Sequence, residues 1–340
     1  MHKSSAEAFL SCGIDVSAAQ LVVALEGEGG SWRQRSFTNR AGGHQALIRW
    51  LQKSGERVRI CLEATGRYSL DLALALHAAS GIEVAVLNPK LVHAFAVTLC
   101  RSKTDPADAQ VLAEYARRMA FQPWHPPRAA ALELRAITRH IAALTQQHTQ
   151  QSNRLHALSA SSTGSGWVRQ DLKRSLRDLE RRMEKMRGAA LALIAKDAEL
   201  HPRWARLLSM PGIGEISALS LLGELALLAP GLSVRQWVAH SGLDPAHHDS
   251  GSSVHKRARI SRAGNRYLRR ALYMPALVAV RRDPHLRAFY QALLARHKAK
   301  LQALMAVARK MLHAIFGMFR GNADYDGSRL FPGLELAAAA

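Results

Sequence analysis

The chain has 340 residues, enough for two or three domains with hydrophobic cores of their own. Its 47 Lys and Arg against 26 Asp and Glu give a net charge of +21, which favours a polyanionic partner, above all nucleic acid. No apolar run reaches the roughly 18 residues that a membrane span needs, and the three widely spaced cysteines favour a reducing compartment over a zinc site. We therefore expect a cytoplasmic protein without a signal peptide.

The first 125 residues predict an α/β domain, because short apolar or alternating runs come first and helical spacing follows. Residues 1–120 carry a net charge of only +3. The predicted strands cover residues 9–15, 21–25, 32–37, 58–62 and 83–87, and the predicted helices cover residues 44–53, 68–79 and 105–119.

Pro123, Pro126 and Pro127 mark a boundary, after which the pattern changes. Positions that are apolar except for His148 and Gln151 step by four and three from Ile137 to Leu158, and apolar residues do so again from Leu172 to Leu193. This heptad seam predicts a helical hairpin or coiled-coil arm over residues 126–200, with a Ser- and Gly-rich connector at 159–166. Packing between the two helices is the ordinary reason for such a seam, and the arm could also bring protomers together.

Residues 201–328 predict a third, mostly α-helical domain, and residues 329–340 a disordered tail. Residues 121–340 together hold a net charge of +18, so most of the affinity for polyanions belongs to this part. The segment from Met210 to Glu215 resembles the turn of a helix-hairpin-helix element. Backbone N–H groups near Gly212 and Gly214 could hold a phosphate there, although a purely structural hairpin fits nearly as well.

Four carboxylates stand where α/β domains bind ligands. Asp15 and Glu63 follow the first and fourth predicted strands, and such strand ends border the crevice of the sheet. Asp105 and Asp108 lie three residues apart on a predicted helix and so share a face. Converging acids repel one another unless cations lie between them, and oxygen ligands suit Mg²⁺ (or Mn²⁺). The sequence therefore predicts a two-metal site for phosphoryl transfer.

Each acid taken alone also has an ordinary explanation. Asp105 fits the N-cap of a helix, with Pro106 at N1 and Asp108 at N3. Asp15 fits a strand that ends in a turn, and Glu63 fits a position facing solvent. Only the joint placement of the four acids favours the metal site.

Ser250 opens a small polar segment, Ser-Gly-Ser-Ser, beside an acid-free run that holds nine Lys and Arg residues and extends to Arg282. Such a cluster neutralises phosphates, and a serine beside it could attack a phosphodiester once its oxygen is activated. The alternatives are a flexible surface loop for the serine and a solvated face for the arginines. The residues predicted to contact nucleic acid are Lys256, Arg257, Arg259, Arg262, Arg266, Arg269 and Arg270.

Several motifs in order resemble those of the DEDD insertion-sequence transposases. The N-terminal motifs resemble the domain of that family which is similar to the RuvC Holliday-junction resolvase, and the later motifs resemble its C-terminal transposase domain. The resemblance covers about residue 9 to about residue 330. The N-terminal motifs are Gly13-Ile14-Asp15-Val16, Glu63-Ala64-Thr65-Gly66, Asn88-Pro89 and Lys103-Thr104-Asp105-x-x-Asp108-Ala109; the C-terminal motifs are Ser209-Met210-Pro211-Gly212-Ile213-Gly214, Gly242-Leu243-x-Pro245, Ser250-Gly251-Ser252-Ser253 and the stretch 261–272.

The resemblance implies an RNase H-like sheet in the N-terminal domain, Mg²⁺ held by Asp15, Glu63, Asp105 and Asp108, and a nucleophilic Ser250 that forms a phosphoserine link to DNA. It also implies donor and target DNA as partners, and for some members a guide (bridge) RNA encoded beside the gene. Members assemble through dimers to a tetramer, in which acids of one protomer can meet the serine of another.

Three functions compete at this point. The first is a recombinase with a covalent serine step. The second is a RuvC-like nuclease in which the acids direct water and Ser250 is incidental, and the third is a nucleic-acid-binding structural protein. Four placed acids disfavour the third, and a serine-bearing basic domain disfavours the second.

Overall fold

The computed structural model describes residues 9–66, 68–99, 104–160, 163–250, 254–261 and 263–331, with the backbone alone for 246–250 and 254–258. The chain divides into two compact units, residues 1–126 and 127–340. Within the described residues, no helix is long and apolar enough to cross a membrane.

The first unit is built on one mixed sheet of five strands in the order β3-β2-β1-β4-β5. The first three strands are antiparallel, and β4 and β5 run parallel to β1. The elements are β1 (Phe9–Val16), β2 (Gln20–Glu26), a 3₁₀ turn (Glu28–Gly30), β3 (Trp32–Thr38), α1 (Ala41–Gln52), β4 (Arg57–Glu63), α2 (Leu70–His77), β5 (Ile82–Leu87), α3 (Pro89–Leu99) and α4 (Asp105–Arg118).

Alternation along the central strands gives the sheet two buried faces. Ile14 and Ile60 point to one face, where they share a core with Leu47 of α1 and Leu72 of α2. Cys61 points to the other face and packs with residues of α4. The predicted α/β domain is therefore confirmed. The helix α3 was not predicted, because exposed apolar residues such as Leu91 and Val97 obscure its amphipathic pattern.

The second unit is mostly helical, as expected. Its first two helices are antiparallel: Thr145 of the first lies 3.5 Å from Met183 of the second, and His148 lies 3.1 Å from Glu180. The elements are α5 (Ala129–Ser159), α6 (Gly166–Lys196), α7 (Leu200–Ser209), α8 (Glu215–Leu225), α9 (Val234–Ser241), β6 (Pro245–Ser250), β7 (Val254–Ile260), α10 (Arg266–Arg282), α11 (Pro284–Ala295), α12 (Lys300–Gly321) and α13 (Gly327–Leu330).

The base of the α5–α6 hairpin shares one hydrophobic core with the helices that follow it. Leu134 of α5 and Ile194 of α6 are buried in the same cluster as Leu222, Leu272 and Met311. The arm and the C-terminal helices thus form one folding unit, although the sequence suggested a boundary near residue 200.

Two expectations for this unit need correction. Ser250 was expected in a flexible polar segment, but β6 and β7 pair as an antiparallel ribbon with Ser250 opposite Val254. The tail was expected from residue 329, yet Leu330 ends α13 and Phe331 packs on Phe289, with ring centroids 5.0 Å apart. Neither polar ribbons nor short terminal helices carry a strong pattern in sequence. The rest of the expected tail, 332–340, lies outside the described residues.

Candidate functional site

Strand register brings two of the predicted acids to one edge of the sheet. Asp15 is the second-last residue of β1, and Glu63 is the last residue of β4. The two strands are parallel neighbours with Ile14 opposite Leu62, so the next residues along the chain, Asp15 and Glu63, lie side by side. Because side chains alternate, Asp15 shares the face of Gly13, and Glu63 shares the face of Cys61.

Gly13 sets the approach of α4 to that face. A Cβ at Gly13 would lie 2.1 Å from the carbonyl oxygen of Ala109 and 2.3 Å from the backbone nitrogen of Ala113, so the helix backbone rests directly on the strand. Asp108 precedes this contact directly, and Asp105 lies one turn earlier. The absence of a side chain at Gly13 therefore brings the first turn of α4 up to Asp15.

The N-cap of α4 is Thr104 rather than Asp105. The Thr104 hydroxyl accepts a hydrogen bond from the backbone N–H of Ala107, and Asp105 is the first residue of the helix proper. The explanation of Asp105 as the N-cap residue is therefore wrong, since Thr104 has that position. Asp105 is exposed and Asp108 half-buried, and neither carboxylate is needed to cap the helix.

The pKa of Asp15 is affected by the three other acids. Burial raises the pKa of its carboxyl, and the negative charges of Asp105, Asp108 and Glu63 raise it further, against one backbone hydrogen bond that lowers it. Like charges nearby disfavour the ionised form of Asp15. A cation among them would relieve this repulsion.

The donor chemistry fits a hard divalent cation, since the set consists of carboxylate oxygens alone. The coordination sphere is not complete in the structure: across the described part of the chain, no three His, Cys, Asp or Glu side chains are already grouped to hold an ion. The four acids therefore lie along one edge and interact electrostatically, but they are not grouped as a complete set of metal ligands.

Asn39 joins the two loops that follow the acid-bearing strands, and sequence reasoning missed it. Its side-chain nitrogen donates to the carbonyl oxygen of Ser17 over 2.7 Å and to that of Tyr68 over 3.0 Å. Its side-chain oxygen lies 2.9 Å from Nε2 of His44, which is buried. A Thr-Asn-Arg turn before a helix gives no hint of this role, because the contacts are with distant loops.

Ser250 and the predicted basic residues belong to the second unit. Ser250 ends β6, while Lys256, Arg257 and Arg259 lie on β7. Arg262 and residues 251–253 lie outside the described residues. The side chains of Arg266 and Arg270 are exposed one turn apart on α10, whereas half-buried Arg269 donates to the carbonyl of Ser241 over 2.8 Å.

A buried ionic network underlies the helix that follows the ribbon. Arg139 of α5 donates to both carboxylate oxygens of Glu224 on α8, over 2.7 and 2.9 Å. Asn265 donates to the same carboxylate and caps α10 by accepting from the N–H groups of Tyr267 and Leu268. Burial raises the pKa of Glu224, but the bonds from Arg139 and Asn265 outweigh it, so the net shift is downward. Sequence reasoning missed this network too.

The turn at Gly212 has a structural reason for its glycine. Its φ of +93° is in the left-handed region, and a Cβ there would lie 2.5 Å from the carbonyl oxygen of Pro275 on α10. Packing against α10 therefore accounts for Gly212 without a bound phosphate, which favours the structural hairpin. Gly214 is the exposed N-cap residue of α8.

Known families and proteins match both units. A DEDD transposase model for IS110 elements matches residues 12–159, and a model described as transposase IS116/IS110/IS902 family matches residues 204–291. The chain is 29% identical to a pilin gene-inverting protein of Moraxella bovis over 304 residues, 87% of this chain and 91% of that protein. It is 35% identical to an uncharacterized 43.6 kDa protein of insertion element IS110 from Streptomyces coelicolor, over 46% of this chain and 38% of that protein.

The two matched regions occur in the family's order, and the first contains all four acids at the edge of the sheet. The chain belongs to the IS116/IS110/IS902 family of transposases, enzymes that act on DNA.

Proposed function

We propose that this transposase cuts and rejoins DNA strands of an insertion element, with Ser250 as nucleophile and a carboxylate-bound divalent metal. The observation that carries the proposal is the edge shared by Asp15, Glu63, Asp105 and Asp108, where burial and the charges of the other three carboxylates raise the pKa of Asp15. Such an edge suits phosphoryl transfer, in which positive charge must meet both the attacking and the leaving oxygen.

Mg²⁺ or Mn²⁺ is the metal we expect at this edge, since the family's DEDD domain implies use of a divalent metal. Bound there, the metal would supply charge stabilisation to the attacking and leaving oxygens. Asp15 and Glu63 would hold it from the strand ends, and Asp105 and Asp108 from the first turn of α4. Gly13 and Asn39 would keep these elements in place.

The serine step balances as a transesterification. Ser250 Oγ forms a bond to the scissile phosphorus while the bond to the leaving deoxyribose oxygen breaks, and the serine proton is exchanged for the one that the leaving oxygen takes up. The phosphoserine ester retains the energy of the broken phosphodiester. A strand hydroxyl can then attack it and restore the phosphodiester without ATP.

Rejoining, rather than hydrolysis, is favoured by the pilin gene-inverting protein of Moraxella bovis, a relative that aligns over most of the chain. Its name describes inversion of a gene, a rearrangement in which every cut end must be joined again. A RuvC-like nuclease that uses metal-activated water would leave hydrolysed ends instead, and it is the alternative that the experiment must exclude.

We further propose a guide (bridge) RNA that pairs with donor and target DNA, and a homo-oligomer that assembles from dimers to a tetramer in the cytoplasm on DNA. The net charge of +18 on residues 121–340 supports binding of nucleic acid. The acids and Ser250 lie in different units, which is compatible with acids from one protomer acting beside the serine of another.

The experiment uses a plasmid that carries both ends of the element, incubated with the protein, the RNA of the element's flank and Mg²⁺. Sequencing of the products distinguishes joined strands from open ends. We expect precise joints that depend on Mg²⁺ and on Asp15. Products that consist only of nicked or linear DNA with hydrolysed ends would replace the recombinase by the nuclease.

A further inference from the structure

A cleft lies beyond the same edge of the sheet as Asp15 and Glu63, but on the face covered by α1 and α2, whereas the two acid side chains point to the face covered by α4. It has a volume of about 420 Å³, and it is bordered by the turn after β1, the start of α1 and the start of α2. This volume is within the range of small-molecule pockets, roughly 300–1,000 Å³. Two of its wall residues come soon after the acid-bearing strands: Ala18 follows Asp15 by three residues, and Tyr68 follows Glu63 by five.

The lining combines an aromatic ring, small residues and polar groups. The side chain of Tyr68 is 55% exposed, and Ala18, Ala41 and Ala75 leave room in front of it. Gln45 and Asp71 also line the cleft, and their side chains make no hydrogen bond or ion pair with any described residue. The cleft thus offers a stacking surface together with two exposed polar side chains, of which Asp71 also acts electrostatically on His44.

The Asn39–His44 pair holds the cleft in shape. Asn39 joins the carbonyls of Ser17 and Tyr68, so the loop that carries the exposed ring is fixed to the turn beside Asp15. The buried His44 supports Asn39 from behind. A preorganised cleft loses less free energy in ordering when a ligand binds.

The charge of the lining indicates whether the phosphate or the base of a nucleotide binds in the cleft. Asp71 would repel a phosphate, although Arg40 at the rim offers one positive charge. A carboxylate and an amide are instead suited to the donor and acceptor groups on the edge of a base. An exposed tyrosine is a stacking platform for an unpaired base, worth about 1–3 kcal/mol per base.

We propose that this cleft binds one unpaired nucleobase of the DNA strand, stacked on Tyr68 and hydrogen-bonded by Gln45 and Asp71, next to the phosphate that is cut. The inference rests on the proposed function, since it assigns a subsite to the same edge. Removing the base from its stack costs a few kcal/mol, which stacking on Tyr68 offsets. The strand then passes over the edge of the sheet, from this cleft to the acids on the other face.

Photo-crosslinking of the full-length Ser250→Ala protein tests the proposal without any covalent serine step. DNA spanning an end of the element carries 5-iodouracil at one position, which is moved one nucleotide at a time across the cleavage point. Irradiated complexes are digested, and the crosslinked residues are identified by mass spectrometry. We expect Tyr68 to be crosslinked from one position, with at least tenfold less product from its neighbours.

Matched variants distinguish a crosslink that depends on stacking against the ring from one that depends only on the exposure of the ring. Tyr68→Phe keeps the ring and should keep the crosslink, while Asp71→Asn should weaken it several-fold. Neither substitution alters the backbone carbonyl of Tyr68, to which Asn39 donates. Trp167 and Tyr273, 85% and 40% exposed, report what exposure alone produces.

Bound DNA that crosslinks elsewhere but never to Tyr68, or to Tyr68 equally from every position, would overturn the base subsite. A position-specific crosslink at Tyr68 together with a wild-type protein that never attaches to DNA would keep the subsite and remove the serine step.

Discussion

His44 donates through Nε2 to the side-chain oxygen of Asn39 over 2.9 Å. The direction follows from the partners of Asn39, whose side-chain nitrogen already donates to two carbonyls, so its oxygen must accept. Burial lowers the pKa of His44, with nearby Asp71 acting in the opposite direction, so the ring is neutral at pH 7. One buried histidine therefore orients the amide that joins the loops behind Asp15 and Glu63.

Asn39→Ala should weaken metal use more than it weakens the fold. Loss of the amide frees both loops, and changes behind metal ligands typically cost about 10- to 100-fold in metal affinity or activity. The measurement is the Mg²⁺ concentration for half-maximal cleavage, together with the melting temperature. Gln52→Ala is the matched control, because Gln52 also donates to a loop carbonyl, that of Ser80, from the other end of α1. Equal Mg²⁺ curves for the two variants would refute the positioning role.

Gly13→Ala should disrupt the first unit and displace the acids of α4. The added Cβ would lie 2.1 Å from a backbone oxygen that cannot rotate away, so the helix must shift. Overpacking of this kind costs about 1–3 kcal/mol or more. Chemical denaturation should show this loss, and cleavage should fall with it. Gly188→Ala in α6, where a Cβ meets nothing within 4 Å, should instead stabilise the protein by about 0.5–1 kcal/mol.

The sequence predicted those parts of the site that rest on local patterns. Strand ends place Asp15 and Glu63, and helical spacing places Asp105 and Asp108 on one face, so their meeting at one edge could be expected. The roles of Gly13, Asn39 and Glu224 could not, because each depends on a partner at least 15 residues away in the chain. The ribbon with Ser250 was also missed, since His-His-Asp-Ser carries no strand alternation.

Asp15→Asn should abolish cleavage and yet raise the melting temperature of the metal-free protein. Burial and three like charges raise the pKa of Asp15 in the folded state, so its ionised form is less favourable there than in the unfolded chain. A raised pKa of a carboxyl lowers the stability of the fold once the pH is above the ordinary value of 3.8, and the neutral amide removes that cost. Calorimetry with and without Mg²⁺ checks this. A variant that cleaves normally, or melts well below the wild type, would contradict the acid cluster.

Arg139→Ala should destabilise the second unit by about 1–3 kcal/mol, because it removes the two hydrogen bonds that the guanidinium donates to the buried carboxylate of Glu224. The lowered pKa of Glu224 predicts a stabilisation that is present above the ordinary value of 4.5 and lost as the pH falls through the folded value. Urea denaturation from pH 7 to pH 3 should show a shallower loss for Glu224→Gln than for the wild type. Parallel curves would show that Glu224 contributes nothing to the acid sensitivity.

The proposed role of Ser250 as nucleophile is tested most directly by looking for its covalent link to DNA. Wild-type protein and Ser250→Ala are incubated with labelled DNA and Mg²⁺ and denatured, and the protein that stays attached to DNA is digested and mapped by mass spectrometry. Ser252→Ala and Ser253→Ala serve as controls, since either serine lies near enough in the chain to substitute. We expect a phosphoserine adduct at Ser250 in the wild type and in both controls, and none in Ser250→Ala. A wild type without the adduct, or a Ser250→Ala protein that still recombines, would contradict that role.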